Sequence, residues 1–237
     1  VNNTSTSATL PVKYSAQFVL DTSALIDSGR MLSSCGDLKV GSVQGADSFE
    51  IDRVVENCNT TNTRVWFALQ RPITPNTHDT GYYLYYGDPS PLPPLANEMN
   101  VFVFYEDWEK GVNHWTGSGG LDPLNTGIMG LSVISNENSI SPANSQKFPM
   151  KAGGGDAFSG YIPVVPNTSY AISVWAKSGT STYAPVGFDP YTAGYVKGIE
   201  NWLWTNEWSI GPEWASRTAQ FTAAATTAFI KIKSEWW

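Results

Sequence analysis

Charge is scarce in this sequence: Asp, Glu, Lys and Arg together make up 15% of its 237 residues. Cysteine and histidine occur only twice each. These shortages exclude whole classes of function. The 14 Lys and Arg are outnumbered by 21 Asp and Glu and form no cluster, so nucleic acid finds no electrostatic footprint. No apolar run approaches the roughly 20 residues of a membrane-spanning helix. Cys35, Cys58, His78 and His114 lack the spacing of metal ligands, and no cofactor is required by anything in the chain. Phosphate-binding loop, dinucleotide fingerprint and nucleophile elbow are all missing.

What fills the chain instead is aromatic residues (13%), Gly, Pro, Thr, Ser and Asn. That composition suits a secreted all-β protein better than a helical enzyme. Cys35 and Cys58 are expected to form a disulfide, because the composition points to an oxidising compartment; two buried thiols are the alternative. Four sequons place Asn2, Asn3, Asn59 and Asn167 as glycan acceptors on surface loops of a secreted glycoprotein. A start at Val1 and the absence of a signal peptide fit a processed or trimmed chain.

Residues 1–12 are polar and proline-ended and read as an extended arm. From Lys13 the pattern turns β-like. It breaks at "DTSALIDSGRM", where Asp21 or Thr22 can cap a short helix and Gly29 can end it. Strands follow at "DLKVGS", "SFEIDRVVE", "TRVWFALQ" and "GYYLYYG". Pro89, Pro91, Pro93 and Pro94 crowd one stretch, so residues 89–100 read as a stiff linker. The division is thus a β-sandwich over 13–88 and a second sandwich over 101–237. Nine of the ten tryptophans lie in that second part, so the halves are different domains.

The stretches "FVLDTSALIDSGRMLSSCGDLKV", "CNTTNTRVWFALQ" and "GYYLYYGDPS" resemble a prokaryotic surface-protein module, the domain-of-unknown-function 2341 family. The resemblance covers roughly residues 13–90 and implies a β-sandwich in a secreted or surface-anchored protein. In the second half, "FYEDWEKGVNHW", "VPNTSYAISVWAKS" and "EWASRTAQFTAAATTAFIKIK" resemble a carbohydrate-binding jelly roll of the family 4/9 type. Asn167 stands where that family usually has glycine. The usual closing strand is absent after "FIKIKSEWW", which alternates as a half-buried strand. Residues 229–235 are therefore expected to pair on one edge only. The other edge would await a partner, either a closing strand belonging to a longer polypeptide of which this chain is a fragment, or a strand from a neighbour, for which the arm is a possible donor.

The richest candidate site is "ENWLWTNEW", in which Trp202, Trp204 and Trp208 offer stacking faces for sugar rings. Glu200 and Asn201 supply hydrogen-bonding partners, with Tyr183 and Tyr191 nearby. The competing reading puts Trp202 and Trp204 in the inter-sheet core. Glu106 and Asp107 align with a position that, in the resembled jelly rolls, helps hold a structural calcium. Glycoside hydrolysis needs two carboxylates across a cleft, and "EDWE" lacks the strand pattern for it, so no catalytic residue is assigned. The function expected from these features is that of a non-catalytic extracellular or cell-surface protein that binds polysaccharide or glycan or mediates adhesion. Its rival is a structural subunit of a surface layer or filament. A lesser one is an accessory region of a secreted polysaccharide-degrading enzyme.

Overall fold

The fold is given by a computed structural model. The structure describes residues 1–88, 93–109, 115–117, 133–140, 143–147, 155–177, 186–203 and 212–236. The chain is all-β and divides into two compact units, Val1–Tyr105 and Glu106–Trp237.

In the first unit the elements run β1 (Ser15–Leu20), α1 (Thr22–Asp27), β2 (Lys39–Gln44), β3 (Asp47–Ile51), β4 (Arg53–Glu56), β5 (Thr63–Ala68), β6 (Tyr82–Tyr85) and α2 (Glu98–Val101). Two antiparallel three-stranded sheets result, in the orders β1-β5-β4 and β3-β2-β6. Alternate residues of β5 and β2 turn inward, so Val65, Phe67, Val40 and Leu38 meet in one buried cluster with Ile51 and Tyr82. Phe67 stacks on Phe18 at 4.9 Å and meets Tyr82 at 5.1 Å, which ties the two sheets together.

Asp21 caps α1 by accepting from the Ala24 N–H at 2.9 Å, and Gly29, at φ 69°, takes the left-handed position just beyond the helix. The expected strand "SFEIDRVVE" is two strands in different sheets. It turns the corner at Asp52, whose carboxylate receives the Asn97 N–H at 2.7 Å.

Two segments read from sequence as free are bound. The Asn3 N–H donates to Thr77 O at 2.9 Å, Leu10 and Ile73 exchange both backbone hydrogen bonds, and the Val1 ammonium donates to Asp79 O at 2.7 Å. The arm thus bridges to residues 73–79 of its own unit through Val1, Asn3 and Leu10. Part of the stretch expected as linker docks likewise: Asn97 caps α2, which packs on β4 and β5, and Phe102 meets Trp66 edge-on at 5.5 Å. Residues up to Tyr105 go with the first unit, five beyond the expected boundary at 100.

The loop between α1 and β2 has no regular structure and is pinned from three directions. Cys35 and Cys58 form a disulfide across a sequence separation of 23. The buried Asp37 accepts from the Leu32 N–H at 3.1 Å and the Gly87 N–H at 2.9 Å. Arg53, itself buried, donates to Cys35 O at 3.0 Å and to Leu38 O. These bonds hold Cys35 at φ 52°, a left-handed conformation that a non-glycine residue rarely adopts unaided.

The second unit contains β7 (Trp115–Gly117), β8 (Val133–Ser135), β9 (Ser145–Lys147), β10 (Gly155–Ser159), β11 (Ile162–Pro163), β12 (Ser169–Ala176), β13 (Val186–Tyr191), β14 (Asn201–Trp202), β15 (Ala215–Thr222) and β16 (Phe229–Trp236). The main sheet has the order β14-β13-β16-β10-β7, with β11 also pairing β16. A two-stranded β12-β15 sheet packs against it, with Phe188 of β13 meeting Phe221 of β15 at 4.3 Å. On the outer side of that pair, hydroxyls face each other: Ser169 with Thr222 at 2.9 Å and Ser173 with Thr218 at 2.7 Å. Asn167 precedes β12 at φ 60°, in the left-handed region that favours glycine and that asparagine tolerates.

Strand β16 overturns the expectation of an open edge. It pairs with β13 from Phe229 to Ser234 on one side, and with β10 and β11 on the other. Both its edges are filled from within the chain, so the premise for strand exchange through it is gone.

The disulfide closes a loop whose entropy would otherwise enlarge the unfolded ensemble. Replacing both Cys35 and Cys58 by Ser is expected to cost about 3 kcal/mol in chemical denaturation. Peptide mapping without reductant should recover one linked pair.

Candidate functional site

Strand β16 is unusual because both its faces are buried. Ile230 and Ile232 point to one face and are 3% and 7% exposed; Lys231 and Lys233 point to the other and are 1% and 2% exposed. A buried ammonium group must find counter-charge, hydrogen bonds or aromatic faces, since its desolvation costs several kcal/mol. The residues beside β16 meet that need.

Cross-strand partners share a face, so Asp189, opposite Lys231 on β13, lies on the lysine side. Gly187 is opposite Lys233, and Trp202 of β14 is opposite Gly187. The absence of a side chain at 187 gives Trp202 its place: a Cβ there would lie 2.3 Å from Asn201 O and 2.9 Å from the indole Cε3. The edge strand slips by one residue between the Phe188–Asn201 pair and the Tyr191–Lys197 bridge, as in a β-bulge.

The result is a closed ring of alternating charge. Lys233 Nζ lies 2.7 Å from Glu200 Oε2 and 3.7 Å from Asp189 Oδ1. Lys197 Nζ lies 2.8 Å from Asp189 Oδ2 and 3.9 Å from Glu200 Oε2. Trp202 covers the ring: Lys233 Nζ sits 3.7 Å from its ring centroid, and its Nε1–H donates to Glu200 Oε1 at 3.3 Å. Lys231 Nζ lies 5.2 Å from the ring centroids of both Phe158 and Tyr161. The hydrogen bond from Lys233 holds the Glu200 carboxyl below its ordinary value, against the opposing effect of burial.

Of the residues expected at a site, Trp202, Glu200 and Asn201 come together here. Trp202 is half-buried, while Glu200 and Asn201 are exposed, with the Asn201 amide donating to Ile199 O at 3.0 Å. Tyr191 does not join them: it is 5% exposed and packs edge-on against Tyr161 at 5.0 Å, so it belongs to the packing of the sheet and not to a binding surface. Trp204, Trp208 and Tyr183 lie outside the described residues. Sequence reasoning missed Asp189, Lys197, Lys231 and Lys233. Alternation in "FIKIK" marks a lysine face but does not say that the face is covered.

Glu106 Oε1 accepts from the Trp108 N–H at 3.2 Å and Asp107 Oδ1 from the Glu109 N–H at 3.1 Å. One oxygen of each is thus engaged in a local turn. Among the described residues no three His, Cys, Asp or Glu side chains converge on a metal position. A calcium ion takes six to eight oxygens, and these two residues supply only part of such a shell.

Of the four sequon asparagines, Asn2, Asn59 and Asn167 are exposed. Asn3 corrects the sequence reading: it is 2% exposed, and its amide nitrogen donates to Ala8 O and Ile73 O, both at 2.8 Å. A glycan there would require both bonds to break.

Sheet order and site define an all-β protein of two units, the second a sandwich with a charged aromatic face on its main sheet. Residues 34–118 match the family described as Domain of unknown function (DUF2341). No curated protein matches the chain. Among solved structures, the N-terminal CBM22-1-CBM22-2 tandem domain from Paenibacillus barcinonensis Xyn10C is similar at 12% identity, over 97% of this chain and 69% of that one, with a TM-score of 0.39. A likeness of that size adds nothing to the sheets described above.

Asp189 bridges two lysines, so Asp189→Ala leaves the buried Lys233 with one distant partner fewer and frees Lys197 to water. The expected cost is about 3 kcal/mol in urea denaturation of the full chain. Glu200 gives a pH signature. Its depressed folded value means that its contribution is complete above the unfolded carboxylate value and is lost as pH falls through the folded one. Melting temperature should therefore drop on acidification below the usual carboxylate range, and Glu200→Gln should flatten part of that drop.

Proposed function

We propose that the protein is a non-catalytic, extracellular carbohydrate-binding protein that contacts glycan through the Trp202 edge of its second unit. The observation that carries this reading is the position of Trp202 on the sheet's edge strand. Trp202 is partly exposed, with the exposed Glu200 and Asn201 beside it. Pyranose rings offer C–H faces to indole and hydroxyls to amides and carboxylates, so this trio matches both parts of a sugar. The ion network behind Trp202 fixes the ring before any ligand arrives, which lowers the ordering cost of binding.

The non-catalytic part of the reading has its own support. Asp189 and Glu200, the carboxylates that meet at this face, each lie against lysine ammonium groups. A general acid needs an environment that raises its proton affinity, whereas the hydrogen bond from Lys233 lowers that of Glu200. Extracellular placement is supported by the disulfide and by the exposed sequons at Asn2, Asn59 and Asn167. Among the described residues no helix is long and apolar enough to cross a membrane.

The test is retardation of the full chain in native gels cast with xylan, hydroxyethyl cellulose, laminarin or galactomannan. At least one of these should retard the protein, and Trp202→Ala should weaken that interaction about tenfold or more. Circular dichroism and melting of the variant establish that the fold persists. Migration unchanged in all four gels would sink the reading.

A further inference from the structure

The first unit carries an aromatic surface that the second unit's site does not explain. Along β6, Tyr82 turns into the core while Tyr83 and Tyr85 stand outward, 46% and 50% exposed, with ring centroids 6.4 Å apart. Solvent-facing positions of a sheet rarely need two large rings, since the outer face contributes no core packing.

The opposing strand is shaped around one of them. Tyr83 is opposite Gly41 on β2 and Tyr85 is opposite Lys39. A Cβ at position 41 would lie 2.5 Å from Tyr85 Cε2, so the Tyr85 ring leans its edge into the space that any other residue would fill. Beside the ring seated on Gly41 lies a shallow hollow of about 120 Å³, with Tyr85 as one wall and Phe49, Glu50 and Ser48 of β3 on the far side. Lys39 Nζ and Glu50 Oε2 stand 3.6 Å apart at its rim, 21% and 30% exposed.

We propose that this hollow is a saccharide-binding site of the first unit, which takes one neutral pyranose ring against Tyr85. The Tyr85 ring supplies the stacking wall for the sugar's C–H face. The Lys39 ammonium has three N–H donors and the Glu50 carboxylate about four acceptor positions, of which the Leu95 N–H takes one on Oε1 at 2.8 Å and Lys39 faces Oε2, so donors and acceptors remain for a ligand. Vicinal hydroxyls, each both donor and acceptor, satisfy such a pair. An anionic or cationic ligand would meet a charge already balanced, which is why the ligand is neutral. The hollow is too small and open to enclose a whole oligosaccharide, so the site grips one residue of a longer chain.

The proposal rests on the first unit alone and does not draw on Trp202. Isothermal titration of the full chain with cellohexaose, xylohexaose, laminarihexaose and mannohexaose tests it, using Tyr85→Ala, Tyr85→Phe, Gly41→Ala and Trp202→Ala. The expected result is binding of at least one probe that falls about tenfold or more in Tyr85→Ala. Tyr85→Phe, which keeps the stacking ring, should retain it. Gly41→Ala keeps the ring but displaces it, so affinity should fall there too, and circular dichroism and melting of each variant separate a folding defect from a lost contact. Binding lost in Trp202→Ala but unchanged in Tyr85→Ala would overturn this proposal and leave the Trp202 site standing. Loss in Tyr85→Ala alone would do the reverse. Absence of heat with all four probes would overturn it outright.

Discussion

A lysine ammonium group cannot leave water without something to replace it, and β16 buries two of them side by side. That requirement organises the second unit. It fixes which face of β13 must carry Asp189, and it draws Lys197 and Glu200 in from the edge strand. It also explains why position 187 is glycine, since the indole that caps Lys233 needs that space. The opposite face of the same strand is ordinary core, with Ile230 and Ile232 packed toward Phe188 and Phe221. One strand therefore specifies register twice, and a slip of one residue would put lysines into the apolar layer and isoleucines among the charges.

The first unit solves a different problem, an irregular loop of about ten residues lying over a small sandwich. Hydrophobic burial alone does not fix such a loop, because its backbone groups have no ladder to join. Here Asp37 takes the loose N–H groups and Arg53 takes the loose carbonyls, while the disulfide removes the alternatives from the unfolded chain. The two side chains are complementary in sign and in hydrogen bonding, since a carboxylate only accepts and a guanidinium only donates. The same loop delivers the chain into β2, whose Lys39 and Gly41 shape the outer face of that sheet.

Much of this was legible in the sequence where the cause is local. Asp21 and Gly29 bracket α1 because capping is decided within a few residues. The all-β character follows from short alternating runs between turn signals, and the cysteine pair from composition. What local pattern could not show was tertiary. "SFEIDRVVE" reads as one strand because nothing in its alternation marks the corner at Asp52, which exists only because Asn97 and Leu95 return to bond there. The polar arm reads as loose because its composition has few apolar anchors, yet Asn3 is held by a carbonyl 70 residues away. Tyr191 reads as a surface aromatic from its loop-rich surroundings, and its burial depends on Tyr161 arriving from another part of the chain. Strand β16 was the largest miss: the closing strand of the resembled jelly rolls was absent, which suggested an open edge, whereas β13 on one side and β10 and β11 on the other enclose it.

The hydroxyl pairs along the outer side of β12 and β15 have a consequence for the medium in which such a protein can work. Dissolved ions weaken attractions between exposed charges over a Debye length of about 8 Å at physiological ionic strength. Ser169 with Thr222 and Ser173 with Thr218 hold their sheet through neutral dipoles, which mobile ions barely screen. Within the charged ring, Lys233 and Asp189 are buried and screened little, while Lys197 and Glu200, about half exposed, stay open to ions. Surface pairs such as Lys147 with Glu137 are the kind that brine dissolves, and they contribute little to begin with. Along the outer side of β12 and β15 and at the buried Asp189–Lys233 contact, the second unit is therefore held by interactions on which added salt has little purchase.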